Sequence, residues 1–166
     1  MRTPQNYVLY NKGDSLSLNP ELSWNQELGW RYNTDTLALS ATLFYITFKD
    51  RQLSTTDLNG DYVMANVGDV TNKGLELEWS GLLPYNFNYY ASYTYTQSEQ
   101  QDDFVSKNVR LPTSGKQLAN VPENMFNLVF GYDDKRFYGN IAGKYVGAFY
   151  GDLTNNEKIG GAHELW

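Results

Sequence analysis

From Gly74 to Thr96 the chain alternates with a period of two. Leu75, Leu77 and Trp79 share one side, with Glu76, Glu78 and Ser80 on the other. After a Pro/Asn turn the alternation resumes: Phe87, Tyr89, Ala91, Tyr93 and Tyr95 against Asn88, Tyr90, Ser92, Thr94 and Thr96. Successive side chains of a strand point to opposite faces, so this is an antiparallel hairpin with one aromatic, apolar face and one polar face. A half-buried soluble sheet carries such a pattern, and so does the wall of a membrane barrel with lipid outside and water inside.

The same period recurs on both sides. Trp24, Leu28, Trp30 and Tyr32 alternate with Asn25, Glu27, Gly29 and Arg31, with Gln26 interrupting the apolar series, and Asn33-Thr34-Asp35-Thr36 reads as a tight turn. Leu37, Leu39, Ala41, Leu43 and Tyr45 form the apolar side of the next strand. Opposite them Ser40 and Thr42 give way to Phe44, Ile46 and Phe48, so the polar side is expected to be apolar or filled near that end. Residues 50–70 form a long connection containing the hairpin-turn signal Asn59-Gly60, and residues 98–123 form a second. Phe126, Leu128, Phe130 and Tyr132 start another strand, a charged turn follows at 133–136, and Phe137, Ile141, Tyr145 and Phe149 share a face opposite Tyr138, Asn140, Lys144 and Val146. Residues 150–166 are polar and Gly-rich, with a strand beginning at their end. Upstream, Tyr7–Tyr10 reads as a short strand and Asn11–Asp14 as a turn.

Short turns near 34, 84 and 134 alternate with long segments near 60, 110 and 157. In an up-and-down sheet this gathers every long loop at one rim, the asymmetry of outer-membrane barrels. Strands of about 10 residues, tilted near 40°, span roughly the 25 Å of the apolar band. Aromatics gather at strand ends (Trp30, Tyr32, Trp79, Phe87, Tyr95, Tyr132, Phe137, Phe149), as interfacial girdles would.

Composition narrows the picture. The 166 residues suit one domain, with a formal charge of −6 and a pI near 4.7 that disfavour a nucleic-acid partner. Mean hydropathy is −0.56, but averaging dilutes the signal of a barrel in which only alternate residues meet lipid. No segment reaches the roughly 20 apolar residues of a membrane helix. The absence of Cys removes disulfides and thiolate chemistry. The first residues lack the apolar core of a signal peptide, which is expected of a mature chain or a part of something longer.

Several motifs then carry a resemblance. Leu18-Asn19-Pro20-Glu21 followed by Glu27-Leu28-Gly29, Leu43-Phe44-Tyr45 leading to Asp50, Asn66-Val67-Gly68 with Gly74-Leu75-Glu76-Leu77-Glu78, and Val121-Pro122-Glu123-Asn124 before an alternating strand resemble, in order and spacing, segments of TonB-dependent outer-membrane receptors over most of residues 14–150. The resemblance implies the C-terminal part of a barrel of about 22 strands, in receptors that import ferric siderophores, haem, cobalamin or carbohydrates with energy from the TonB complex. The chain departs from the whole family pattern in showing no plug domain, no TonB box and only about six strands where closure needs many more. Trp166 is aromatic like many terminal barrel residues, but Gly160, Ala162 and Glu164 do not make the expected apolar series, so the chain is expected simply to stop there.

No constellation supports catalysis. Glu76 and Glu78, like Glu27, Arg31 and Lys144, are expected to be lumen-facing wall residues that meet a plug or a charged neighbour rather than a paired-carboxylate site. Asp57, Asn59 and Asp61 resemble a calcium loop, but Gly60 is misplaced and no Glu follows at the right spacing. Thr113-Ser114-Gly115-Lys116 lacks the earlier Gly and the final Ser/Thr of a phosphate loop. His163 is the only His, which excludes an internal His cluster or triad. No cofactor or resident metal is expected. Loops on a rigid scaffold carry recognition, and Tyr62, Phe104, Arg110, Lys116 and Tyr150 are loop residues able to stack on or pair with an anionic chelate.

The reading is an all-β, antiparallel up-and-down meander of about six strands, a partial transmembrane barrel spanning residues 1–166 with extracellular loops near 50–70, 98–123 and 150–166. Its expected partners are outer-membrane lipid, a small-molecule ligand such as a ferric siderophore, and the TonB complex through a plug in the parent. The location expected is the outer membrane of a Gram-negative bacterium. The alternatives are a soluble or surface β-domain that binds carbohydrate through Tyr, and a passive channel or adhesin barrel.

Overall fold

A computed structural model describes residues 18–56, 62–106 and 109–165 and, of 54–56, 62–64, 106 and 109, the backbone alone. Tyr7–Tyr10, Asn11–Asp14, the oxygens of Asp57, Asn59 and Asp61, the Asn59-Gly60 turn and Trp166 lie outside the described residues.

Among the described residues seven strands form one antiparallel sheet: β1 (Leu22–Asn33), β2 (Leu37–Lys49), β5 (Val70–Leu83), β6 (Phe87–Gln100), β9 (Asn124–Asp133), β10 (Tyr138–Val146) and β13 (Ala162–Leu165), paired in that order. The long connections hold three two-stranded ribbons: β3 (Gln52–Thr56) with β4 (Tyr62–Asn66), β7 (Phe104–Ser106) with β8 (Val109–Leu111), and β11 (Phe149–Tyr150) with β12 (Lys158–Ile159). The meander is the expected one, with β13 as a further strand.

The strand expected over 137–149 is shorter than its pattern. Gly147 donates its N–H to the Asn124 carbonyl (2.7 Å), and a Cβ there would lie 2.9 Å from that oxygen. Phe149 therefore belongs to the third ribbon and is not a girdle residue of the wall.

Three tight turns close the other rim. The Thr34 hydroxyl oxygen accepts from the Leu37 N–H at 3.0 Å. Tyr85 and Asn86 both take positive φ (64°) in the 3-10 turn Pro84–Asn86, the left-handed backbone that hairpin turns demand and that Asn tolerates well. Asp134 accepts from the amides of Phe137 (2.6 Å) and Arg136 (2.9 Å), which hold its carboxyl below the usual carboxylate range.

Register converts the alternation into two continuous faces. On one, Trp30 opposes Ala41, then Leu77, Tyr93, Phe126 and Tyr145 follow across successive strands. The neighbouring row reads Tyr32, Leu39, Trp79, Ala91, Leu128, Gly143 and Leu165. Large and small residues complement each other: Ala91, between Trp79 and Leu128, is only 1% exposed, and the Tyr89 ring stands where a Gly81 side chain would be. The apolar belt runs from the row of Leu28, Leu43, Leu75 and Tyr95 to that of Leu83, Phe87 and Tyr132. From Leu75 to Leu83 the strand advances about 26 Å, or about 20 Å of height at a 40° tilt, close to the band of a membrane barrel. Beyond the belt the same face turns polar, with Gln26, Tyr45, Lys73 and Gln97 in one row.

Among the described residues no second layer covers this belt. Leu28 is 72% exposed, Ile141 62% and Trp30 57%. Phe87 stacks with Phe130 (5.3 Å between centroids) and touches Tyr132 (5.1 Å), an aromatic cluster by the short-turn rim. Tyr45 and Tyr95 mark the other margin. Trp30, Tyr32 and Trp79 sit inside the belt instead of at its ends, because the register centres them.

The buried core lies under the ribbons. Ala65, Val67, Val70, Phe104 and Leu118 form it, with Phe48, Leu53, Leu111, Val121 and Leu153 packed against them. Phe48, Val70 and Gln100 oppose one another on the polar face, so the ribbons fold onto that side at the long-connection rim. This explains the apolar residues expected to interrupt the polar series. Phe48 lies beneath the ribbons, and the Phe44 ring fills the place of a Gly74 side chain.

Placing Arg at Leu77, near the centre of the belt, should cost about 2–4 kcal/mol of folding stability in a bilayer, whereas Thr94→Arg on the opposite face should cost about 1 or less. Urea unfolding of the lipid-embedded protein measures the difference; equal costs would show that the belt does not meet hydrocarbon.

Candidate functional site

The polar face carries the charged residues anticipated from the sequence. Arg31, Ser40, Glu78, Ser92, Asn127, Lys144 and Glu164 form one row across the sheet. Glu76 lies in the next row between Thr42 and Thr94, and Glu27 one further, opposite Phe44. Glu78 is held from both sides: Ser40 Oγ donates to Oε2 and the Tyr90 hydroxyl to Oε1, each at 3.2 Å. Ser92 Oγ accepts from Asn127 Nδ2 at 3.1 Å. A shallow concavity of about 230 Å³ lies against Arg31, Ser40, Glu78 and Tyr90. Glu76 and Glu78 are two rows of one wall and share no hydrogen bond.

At the long-connection rim, motifs far apart in sequence meet. Asn19 N–H donates to Asn66 Oδ1 (2.9 Å), and Asn66 Nδ2 donates to the carbonyls of Asn19 (3.1 Å) and Asp50 (2.7 Å). The carboxylate of Glu21, 5% exposed, accepts from Arg51 Nη1 (2.7 Å) and the Gln52 N–H (2.8 Å). The Arg51 guanidinium also lies over the Phe48 ring, 4.3 Å from its centre. Asp69 accepts from the Asp50 amide and Asp102 from the Asp69 amide. Gly68 is held at φ +91° against Asp102, and a side chain there would collide with it at 2.9 Å. The Leu18–Glu21, Asp50 and Asn66–Gly68 motifs thus form one joint between the wall and the first ribbon. They are structural, and sequence spacing had no means of showing that they touch.

The second ribbon is anchored by Thr113, fully buried, whose Oγ1 accepts from the Phe104 N–H (2.8 Å) and donates to the Asp102 carbonyl (2.9 Å). Asp103 accepts from the Ser114 N–H and from Arg110 Nε (2.8 Å), which together hold its carboxyl below the usual range. The amides of Ser114, Gly115 and Lys116 are all taken, by Asp103, the Gln100 carbonyl and the Thr113 carbonyl. This segment has no free N–H groups with which to cradle a phosphate.

The third ribbon encloses a turn built on Asp152. Its carboxylate accepts from the Thr154 hydroxyl and from the amides of Glu157 (2.7 Å), Asn156 (3.2 Å) and Thr154 (3.1 Å), which bring its pKa down to about 2.

The loop candidates fall into different settings. Phe104 is 6% exposed in the ribbon core, so its ring is committed to packing. Arg110 is exposed but paired with Asp103. Lys116 is exposed on the segment paired with β6. Tyr150 is half-buried, with the Lys158 ammonium 5.8 Å from its ring centre. Tyr62 lies in β4, and its side chain is outside the described residues. Sequence reasoning missed Tyr90, Gln100, Thr113 and Asn155, whose partners are distant in the chain. Among the described residues no group of three His, Asp or Glu could hold a metal.

A lipid-height apolar belt, a hydrogen-bonded polar face behind it and long connections gathered at one rim define the wall of an outer-membrane β-barrel. The chain belongs to the TonB dependent receptor-like β-barrel family, whose model matches residues 1–164. It is 29% identical over 165 residues to an uncharacterized TonB-dependent receptor of Haemophilus influenzae, in a match covering 89% of this chain and 46% of that protein. It is 26% identical over 148 residues to the ferrichrome outer membrane transporter/phage receptor of Escherichia coli, covering 85% of this chain and 19% of the relative. The ferric yersiniabactin uptake receptor FyuA from Yersinia pestis superposes with a TM-score of 0.67 at 28% identity, over 87% of this chain and 21% of that one. The chain thus spans about half or less of the relatives it matches, and it is part of a barrel of the Gram-negative outer membrane.

Glu21→Ala should leave the Arg51 guanidinium partly buried without a carboxylate and destabilise the rim joint by about 3 kcal/mol. Faster proteolysis between β2 and β5 reports it; unchanged cleavage would show that the pair carries no load.

The carboxylate of Asp152 titrates below its ordinary value of 3.8, so its contribution is complete above pH 3.8 and is lost as the pH falls through about 2. Amide shifts of Thr154, Asn156 and Glu157 should share a midpoint near 2; a midpoint near 3.8 would mean that the turn is not formed.

Proposed function

We propose that this chain is a wall section of an active-transport receptor that takes up a nutrient chelate, a ferric siderophore first among the candidates, with energy coupled through TonB. The observation that carries the reading is the rim. All three long connections stand at one end of the sheet and fold onto its polar side, over the mouth of the space that the wall would enclose. Two of the relatives are named for ferric-chelate transport or uptake, which supports a chelate as the cargo.

In this reading the ribbons face the cell exterior. Arg110, Lys116, Tyr150 and Tyr62 are the loop residues assigned to contact with the chelate. Cations pair with its anionic groups, and the tyrosine rings stack on its planar ones. Phe104 serves from below, holding the ribbon core together. Glu27, Arg31, Glu76, Glu78 and Lys144 face the lumen and meet a plug domain of the parent, through which TonB would act. No bond is made or broken in the cargo. The soluble carbohydrate-binding alternative loses its basis, because the aromatic face is an uncovered belt of membrane height.

Titration of the full-length parent in bilayers with a panel of ferric siderophores, haem, cobalamin and oligosaccharides tests this reading. Saturable binding of a ferric chelate, weakened about tenfold by Lys116→Ala, is expected if one charge-assisted contact is lost. Binding of none of the ferric chelates would overturn it.

A further inference from the structure

The third long connection is tied to the second through a side chain that imitates a strand. Asn155 Oδ1 accepts from the Gln117 N–H at 2.7 Å, and Asn155 Nδ2 donates to the Gln117 carbonyl at 2.8 Å. One side-chain amide thus makes with Gln117 the two bonds that a paired strand residue would make. Asn155 sits at φ +58°, a conformation that Asn tolerates better than most residues. Gln100, fully buried, bridges the same elements: its Nε2 donates to the carbonyls of Leu153 (2.9 Å) and Gln117 (3.3 Å). Asn120 N–H donates to the Tyr150 carbonyl at 2.8 Å, and Leu153 packs into the ribbon core. Lys116 and Tyr150, the two candidate contacts on these segments, lie directly beside the tied residues.

We propose that Asn155 is a positioning residue that clasps the third long connection to the segment of the second that pairs with β6, so that the two connections present Lys116 and Tyr150 as one rigid contact surface. The consequence for ligand capture rests on the uptake reading above; the clasp itself does not. A loop held only by its two ends samples many arrangements, and each residue it orders carries an entropic cost on binding. The Asn155–Gln117 pair and the Gln100 bridge remove that freedom in advance. A chelate would then meet two connections already fixed relative to each other, although they are separated in sequence by β9 and β10.

The chain has no Cys, so two introduced thiols are its only labels. Val105 (62% exposed, on β7) and Gly160, where an added Cβ meets nothing within 4 Å, are suitable positions for spin labels. In the full-length parent in bilayers, with any thiol outside this chain replaced by serine, the Val105→Cys/Gly160→Cys protein should give one narrow distance distribution. Asn155→Gly removes the clasp without straining the positive φ; it should broaden the distribution and speed exchange of the Gln117 amide about tenfold or more. Asn155→Asp keeps the acceptor but loses the donor and should fall between the two, a graded response that general loss of folding would not produce. Unchanged distances and exchange in Asn155→Gly would overturn the clasp. Titration of the same proteins with ferric chelates separates the two readings. If wild-type protein binds none while the distances respond, uptake fails and the clasp stands; if it binds one while the distances do not respond, the reverse holds.

Discussion

A backbone amide in hydrocarbon has no water to bond, so every N–H and C=O in the membrane must find its partner in the protein. That constraint explains why this chain is an antiparallel ladder across its apolar belt, with turns of only three or four residues at one rim. It also explains the glycines at Gly74 and Gly81. An aromatic ring from a neighbouring strand fills the space beside each, leaving the ladder covered without a bulge. Among the described residues the ladder has two edges, one along β1 and the other along β10 and the short β13, and lipid cannot satisfy either. The sheet is therefore physically part of something closed.

The two faces of the ladder solve different problems. The belt needs only to be apolar and smooth, and it achieves this by setting Trp79 beside Ala91 and Tyr89 over Gly81. The polar face must satisfy its groups locally: Glu78 takes hydrogen bonds from Ser40 and Tyr90, one residue from each flanking strand. A fold whose faces meet two media has no need of a central core, and among the described residues none lies under the belt. Among the described residues the buried apolar cluster belongs to the ribbons.

At the rim, water returns and the constraint relaxes, so irregular backbone becomes possible and is organised by side chains instead of by the ladder. Glu21, Asn66, Asp102, Thr113, Asp152 and Asn155 each replace a missing backbone partner. The result is a compact cap in which three ribbons share one core. Such a cap can hold exposed residues in fixed positions, which an extended loop of the same length would not.

Much of this was legible in the residues alone. The period of two, the alternation of short and long connections and the aromatic side of Gly74–Thr96 determine an up-and-down wall with a dry face and a wet face, because in a strand each side chain's face follows from its parity. The family motifs were visible too, though not their purpose. That Asn19 bonds Asn66, or that Asn155 pairs with Gln117, depends on how ribbons separated by whole strands fold back onto one rim, and no local propensity encodes such a meeting. The end of β10 at Val146 is likewise a tertiary decision, made where Gly147 comes up against the Asn124 carbonyl while its alternation continues to Phe149. Phe104 shows the same division. Its position in a long connection suggested an exposed ring, and only the packing of Val67, Val70 and Leu118 around it turned that ring into the centre of the cap.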